Sequence, residues 1–177
     1  MKLIVWLGNP WKEYEKTRHN IWFVMLDKFV ETNKLGIFLF DKKYWLEKCV
    51  SEIQWEKVIF CKPQTYMNRS WDAVAPLANF YKTESKNILI LHDEIDFVTW
   101  RIGFKFGGSP AGHNWLKSLI ARLGTPDFAR IRIWVDRPID SKFVSDWVLS
   151  SFKPEEKKIL EEKYDEVEKL IWEFLKG

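Results

Sequence analysis

The sequence predicts an α/β fold: a single-domain, three-layer sandwich in which helices flank a central mixed, twisted sheet. Short continuous apolar runs, Lys2–Leu7 and Ile88–Leu91, have the pattern of strands buried on both faces. Segments with helical spacing of apolar residues alternate with the strands, as in α/β folds. A hairpin near Tyr44–Ile53 and Lys57–Lys62 adds antiparallel strands. A chain of 177 residues is most simply one domain, residues 1–177.

The first half of the chain contains two predicted helices. Gly8-Asn9-Pro10 ends the first strand, and a polar loop with Tyr14 leads to a helix over His19–Asn33. The apolar positions that predict this helix are Ile21, Val24, Met25, Phe29 and Val30. After the hairpin, Pro63–Arg69 forms a loop. Ser70 is the expected N-cap of the next helix because serine hydroxyls accept hydrogen bonds from the first-turn amides.

The second half is organised around the strand Ile88–Leu91, which ends in His92-Asp93-Glu94. A strand over Arg101–Phe106 and a glycine-rich turn, residues 107–112, lead to a helix with His113 and Asn114 at its start. The apolar face of that helix is Leu116, Leu119, Ile120 and Leu123. A further strand, Phe128–Val135, alternates arginine with apolar residues, and the last helix begins near Pro154.

Composition limits the classes of function. A net charge of +3 and a pI near 8.7 permit a nucleic-acid partner without requiring one. No apolar run approaches the ~20 residues of a membrane span, and Leu3–Leu7 is too short for the core of a signal peptide. Cys49 and Cys61 have neither disulfide-framework nor metal-ligand spacing, so we expect buried, reduced thiols in a cytoplasmic protein.

Polar residues capable of catalysis cluster after strands and at helix starts. They are Asn9, His19, Asn68, Asp93, His113 and Asn114. A histidine beside a carboxylate can take a proton from water, and amides can donate to a developing oxyanion. No activated serine or cysteine nucleophile is present. The set suits direct hydrolysis of an activated ester. Each residue also has a structural interpretation, as a helix cap or turn residue, and His92 is interpreted as structural.

Four motifs then resemble those of one family. LGNPWKEYEKTRHNIWF, KPQTYMNRSWDAV, LHDEID and GGSPAGHNWLKSLIARLGTPDFARIRI are similar, in order and spacing, to the signatures of bacterial peptidyl-tRNA hydrolases. The resemblance covers essentially the whole chain. It implies a cytoplasmic, monomeric α/β hydrolase without metal or cofactor and without membrane association. Its substrate would be peptidyl-tRNA, whose ester is cleaved to recycle tRNA from stalled ribosomes.

The resemblance also assigns roles by position. His19 matches the general base and Asp93 its stabiliser, and Asn9 matches the residue that separates blocked from free aminoacyl-tRNA. The expected contacts with peptide or tRNA are Tyr14, Tyr66, Asn68, His113, Asn114, Lys105, Arg130 and Arg132. The last three are expected at phosphates, which fits the positive charge. Gly103 occupies a position that is often basic in the family, which predicts weaker binding of tRNA.

Two alternatives remain open on the sequence. One is a non-catalytic RNA-binding relative of the same fold, against which the joint presence of His19, Asp93, Asn9, Asn68 and Asn114 argues. The other is a small-molecule esterase. The basic residues and the missing nucleophile disfavour it.

Tryptophan is abnormally common and glycine rare: there are 11 Trp and 8 Gly, against about 7% glycine in typical proteins. The family pattern has glycine where this chain has Trp6, Trp11, Trp22, Trp71, Trp100, Trp115 and Trp134. Trp45 and Trp55 are further candidates, and position 55 lies in the predicted hairpin turn. We hypothesise that UGA codons that specify glycine in the source cell were read as tryptophan. The alternative is an enzyme that is truly rich in tryptophan.

Overall fold

The protein is described by a computed structural model. It covers residues 1–9, 17, 20–65, 69–94, 101–110, 113–134, 147 and 149–177; for residues 21, 22, 114 and 134 only the backbone is described. The predicted residues His19, Tyr14, Tyr66 and Asn68 lie outside this part, as do Trp11 and Trp100.

The described elements alternate between strands and helices, as predicted. They are β1 (Lys2–Trp6), α1 (Ile21–Thr32), β2 (Leu39–Asp41), β3 (Leu46–Ile53), β4 (Glu56–Pro63), α2 (Ser70–Phe80), β5 (Ile88–Glu94), β6 (Ile102–Phe106), α3 (Asn114–Leu123), β7 (Ala129–Trp134) and α4 (Pro154–Lys176). Among the described residues, no helix is long and apolar enough to cross a bilayer.

The strands form one mixed sheet in the order β2-β3-β4-β1-β5-β7-β6. The four central strands, β4, β1, β5 and β7, run parallel, whereas β2, β3 and β6 pair antiparallel at the two sides. The carboxyl ends of the parallel strands therefore meet at one edge of the sheet, which we call the carboxyl edge. Open α/β sheets bind ligands at this edge.

Helices cover both faces of the sheet, which confirms the predicted three-layer class. On one face α1 and α4 bury residues such as Phe29, Val167 and Ile171 against the strands. On the other face α2 and α3 bury residues such as Val74 and Leu119. Alternate side chains of β1, β4 and β5 enter the two cores, so these strands are apolar throughout.

Several predicted details differ from the structure. Ser70 is the first residue of α2 rather than its N-cap; the N-cap is Arg69, which makes no side-chain capping bond. Val24 is exposed, because the packed stripe of α1 consists of Met25, Leu26, Phe29 and Val30. The strand β5 does not end at Leu91 but continues through Glu94, because β7 pairs with it along that whole length.

The cysteines are buried and reduced, as predicted. They lie in different cores, since Cys49 belongs to the α1 and α4 face and Cys61 to the α2 and α3 face. Burial raises the pKa of both thiols above the ordinary value, and most strongly that of Cys61. Neither thiol is therefore an activated nucleophile.

The described tryptophans show two anomalies. Trp45 and Trp55 adopt positive φ angles of 54° and 66°, a region that favours glycine. The indole N–H groups of Trp6, Trp71 and Trp115 are buried and find no hydrogen-bond partner within the described part of the chain. Leaving such a donor unsatisfied costs about 1–3 kcal/mol. Both anomalies are what glycine positions occupied by tryptophan would produce.

Candidate active site

The end of β1 is joined to the start of α1 by a pair of buried hydrogen bonds. The main-chain N–H of Asn9 donates to Asn20 Oδ1 at 2.8 Å, and Asn20 Nδ2 donates to the Asn9 carbonyl at 2.6 Å. Both residues are almost fully buried. Because the bonds use the main chain of Asn9, they fix the point from which its side chain emerges at the carboxyl edge.

Gly8 lies at this close approach. A Cβ at position 8 would lie 3.0 Å from Asn20 Oδ1 and 3.1 Å from the ring of Phe23. A larger residue would therefore require the Asn20 or Phe23 side chain to shift. Sequence analysis missed Asn20, although the available signal was an asparagine at the start of a predicted helix. Its amide would ordinarily cap that helix, but here it bonds to the main chain of Asn9 and makes no side-chain cap.

Asp93 lies at the carboxyl end of β5, next to β1 in the sheet, and is 1% exposed. Its register partner is Ile133, a core residue of the α1 and α4 face. Paired residues point to the same side of a sheet, so Asp93 shares the face on which α1 packs. Sheet topology therefore brings Asp93 and the Asn9–Asn20 pair to one end of one face.

His92 lies on the opposite face from Asp93, in register with Arg132. It is completely buried, and its Nδ1 is 3.0 Å from the Asp93 carbonyl oxygen. Burial lowers the pKa of His92 to about 3, and the neighbouring His113 adds to this effect. His92 is therefore neutral at physiological pH. Its burial fits the structural role that was assigned from the sequence.

His113 is the residue immediately before α3, and its ring packs edge-on against His92 with centroids 5.2 Å apart. Asn114 is the first residue of α3. The start of α3 thus lies against β5 on the α2 and α3 face. The carboxyl edge receives one helix start on each face, from α1 and from α3. Helix N-termini present unpaired N–H groups, which stabilise negative charge.

The three basic residues have different environments. Lys105 lies on the edge strand β6 and Arg132 on its neighbour β7, and both are partly exposed. Arg130 is 2% exposed, and its guanidinium donates to the carbonyls of Gly108 at 2.8 Å and Ser109 at 3.1 Å. It also stacks over the Phe128 ring at 4.5 Å. This geometry suits support of the glycine-rich turn better than the phosphate contact expected from the sequence.

Gly108 shows why the turn needs glycine. Its φ is +89°, and an added Cβ would lie 2.7 Å from Lys105 Nζ, which occupies that space. Gly107 also has a positive φ, of +65°. Within the described residues, no group of three or more His, Cys, Asp or Glu side chains could hold a metal ion.

Comparison with known proteins gives a consistent result. The family model for peptidyl-tRNA hydrolase matches residues 3–177. The peptidyl-tRNA hydrolase of Lactobacillus delbrueckii subsp. bulgaricus is 41% identical over 177 residues, which are all of this chain and 94% of that protein. The one from Mesoplasma florum is 47% identical over 156 residues, covering 88% of this chain and 83% of the relative.

Solved structures agree. The crystal structure of peptidyl-tRNA hydrolase from Acinetobacter baumannii superposes with a TM-score of 0.92 at 32% sequence identity, over 100% of this chain and 89% of that one. The family resemblance seen in the four motifs is thereby confirmed. This chain belongs to the peptidyl-tRNA hydrolase family and is an enzyme of the carboxylic ester hydrolase class.

Proposed function

We propose that this enzyme hydrolyses the ester between a peptide, or an N-blocked amino acid, and the 3′ end of tRNA. In this proposal His19 is the general base and Asp93 its stabiliser. The observation that carries it is the junction of β1 with α1. The residue that follows His19 is anchored to the main chain of Asn9, just after β1, and Asp93 lies near the carboxyl end of the neighbouring strand on the same face.

The reaction needs one proton acceptor and a site for a transient oxyanion. His19 takes a proton from water while the water oxygen attacks the ester carbonyl. The negative charge of Asp93 holds the imidazole tautomer and favours the imidazolium that forms. The amides of Asn68 and Asn114 donate to the oxyanion, assisted by the α3 N-terminus. Collapse of the intermediate breaks the bond between the carbonyl carbon and the ribose oxygen, and the His19 imidazolium gives its proton to that leaving oxygen, which becomes the ribose hydroxyl.

Asn9 is the proposed discriminating residue, because its position at the end of β1 is fixed through its main chain. A blocked substrate brings a neutral amide to this buried point, whereas a free aminoacyl-tRNA brings an ammonium. Desolvating that charge without a partner is costly. The proposed site therefore favours substrates whose α-nitrogen is acylated.

The tRNA is held, in the proposal, on the β6 and β7 side of the sheet. Lys105 and Arg132 supply positive charge at phosphates, and Tyr14, Tyr66 and His113 contact the substrate nearer the ester. Arg130 acts indirectly, by supporting the carbonyls of Gly108 and Ser109. Gly103 is paired with Arg132 across β6 and β7. A basic residue at position 103 would add a second positive charge beside Arg132, and glycine does not supply it.

The proposal also includes a single-domain, cytoplasmic monomer that works without a cofactor. Size-exclusion chromatography with light scattering tests the oligomeric state, and a mass near 21.3 kDa is expected. A stable dimer would contradict this part. Activity that survives exhaustive dialysis against a chelator is expected for hydrolysis without a metal.

The decisive assay uses three substrates: N-acetyl-aminoacyl-tRNA, the same tRNA with a free amino acid, and a small aryl ester. We expect release of N-acetyl amino acid from the first and little turnover of the other two. The chain as written and a version with glycine at the seven tryptophan positions are assayed in parallel. Binding of tRNA without hydrolysis by either version would favour the non-catalytic RNA-binding alternative. Preference for the aryl ester would favour the esterase.

A further inference from the structure

A cavity of about 420 Å³ lies beside the proposed site, on the side away from Lys105 and Arg132. Its lining comes from the segment before β3, the end of β4 and the first turn of α2, and it includes Lys43, Tyr44, Gln64, Thr65, Arg69 and Asp72. The end of β4 is parallel to β1, so this cavity opens at the same carboxyl edge as Asn9. None of the roles assigned above uses it.

The order of the strands shows on which side of the ester the cavity lies. The proposed catalytic residues lie at β1 and β5, with β7 and β6 on one side and β4 and β3 on the other. The substrate has two arms that leave the ester in different directions. If cationic β6 and β7 hold the RNA arm, the peptide arm extends across β4 towards β3. Two strand spacings of about 4.8 Å correspond to about three residues of extended peptide.

The charge of the cavity indicates what it would bind. Asp72 is shared by Arg69, at 3.2 Å, and Arg122, at 3.4 Å. Lys43 lies over the rings of Tyr44 and Phe80, and within the described part of the chain no carboxylate forms an ion pair with its ammonium. The local balance is therefore cationic.

The cavity also offers an unused polar group. Thr65 Oγ1 is buried and has no hydrogen-bond partner among the residues that the structure describes. A buried hydroxyl of this kind can be satisfied by a ligand that enters the cavity. Trp45 also lines the cavity, but position 45 is one of the candidate glycines, so its ring has no role in the proposal.

We propose that this cavity binds the nascent peptide about three residues from the ester and prefers an acidic side chain there. The inference rests on the proposed function and adds a specificity to it. Lys43 and Arg69 attract the carboxylate of that side chain, and the Thr65 hydroxyl donates a hydrogen bond to the peptide or accepts one from it. Exposed ion pairs are individually weak, so the expected preference is modest.

The test uses N-acetylated tetrapeptidyl-tRNAs that differ only at the third residue from the ester, which is Glu, Gln or Lys. N-acetyl-aminoacyl-tRNA, which cannot reach the cavity, is the reference substrate. We expect kcat/KM to be about two- to fivefold higher for Glu than for Lys. The substitution Lys43→Glu should invert this ratio. Lys86→Glu, a matched charge reversal at a distant cavity, should leave it unchanged.

Three outcomes would overturn the inference. Equal kcat/KM for the Glu and Lys substrates in the unsubstituted enzyme would show that the cavity does not distinguish side chains at this position. A Lys43→Glu enzyme with an unchanged ratio would place the preference elsewhere. Weaker binding of free deacylated tRNA by Lys43→Glu, with no change in the ratio, would make the cavity an RNA site. Failure to cleave even N-acetyl-aminoacyl-tRNA would instead overturn the proposed function, and this inference with it.

Discussion

Replacing Trp55 with glycine should stabilise the protein. Ile53 pairs with Glu56, so Gln54 and Trp55 form a two-residue hairpin turn, and both have positive φ, 51° and 66°. Such turns favour glycine. A non-glycine residue in this region costs about 1–2 kcal/mol. Trp55 is 94% exposed, so its ring contributes little packing that could be lost.

The expected gain is smaller than the strain that is relieved. Glycine increases the entropy of the unfolded chain, which offsets about 0.4–1 kcal/mol. The net stabilisation expected for Trp55→Gly is therefore between about 0 and 1.6 kcal/mol. The midpoint, about 0.8 kcal/mol, corresponds to a rise in Tm of roughly 2–3 °C for a chain of this size. Urea unfolding followed by circular dichroism measures it as an increase in midpoint without a change in slope.

Trp172→Gly is the matched control. Trp172 is helical, within α4, and its ring packs against Phe29 at a centroid distance of 5.6 Å. Glycine there should destabilise the protein, because it removes the packing of the indole against Phe29 and is also a poorer helix former than tryptophan. The reasoning would be refuted if Trp55→Gly lowered the unfolding free energy as Trp172→Gly does.

Further predictions concern both chemistry and stability. Asn9→Asp should improve the relative rate on unblocked aminoacyl-tRNA, because its carboxylate can pair with the ammonium; an unchanged ratio of the two activities would count against the assignment. Asp93→Asn should lower the apparent pKa of the pH–rate profile, since the imidazolium loses its neighbouring charge; an unshifted profile would argue against the pairing. Asn20→Asp replaces the donor to the Asn9 carbonyl with an acceptor and should cost about 1–3 kcal/mol in urea unfolding; no loss would show that the pair is dispensable. His92 has a folded pKa near 3, below its ordinary value, so stability should fall as pH drops from about 6.5 towards 3. His92→Gln should reduce that slope by up to ~1.4 kcal/mol per pH unit, and an unaltered slope would exclude His92 as its source. Finally, UGA codons and glycine-containing peptide masses are expected at the seven tryptophan positions, with UGG at Trp172. UGG codons at the seven positions would contradict the hypothesis that glycine codons were read as tryptophan.

Much of the fold could be predicted because its signals are local. Continuous apolar runs marked β1 and β5, and period-3.6 patterns marked α3 and α4. The ends of strands were less predictable where pairing with a neighbouring strand determines them. Strand β5 includes the polar residues His92 to Glu94 because β7 pairs with them, and no local pattern reports that pairing.

The candidate site was only partly predictable for the same reason. Residue types and motif resemblance identified Asn9 and Asp93, and the described sheet places both at the carboxyl edge. The sequence did not distinguish Arg130 from Arg132, because alternation along β7 is the same for both. Only the structure shows that the Arg130 guanidinium is buried beneath the glycine-rich turn. The Asn9–Asn20 pair joins residues eleven apart, and it too needed the structure.

The central claim is tested most directly by the rate of ester cleavage in a His19→Ala enzyme. N-acetyl-aminoacyl-tRNA is the substrate, and tRNA affinity is measured on the same preparations. The account predicts that hydrolysis falls by at least about 100-fold, the usual contribution of a general base, while tRNA binding persists. Near-normal hydrolysis by His19→Ala would contradict it.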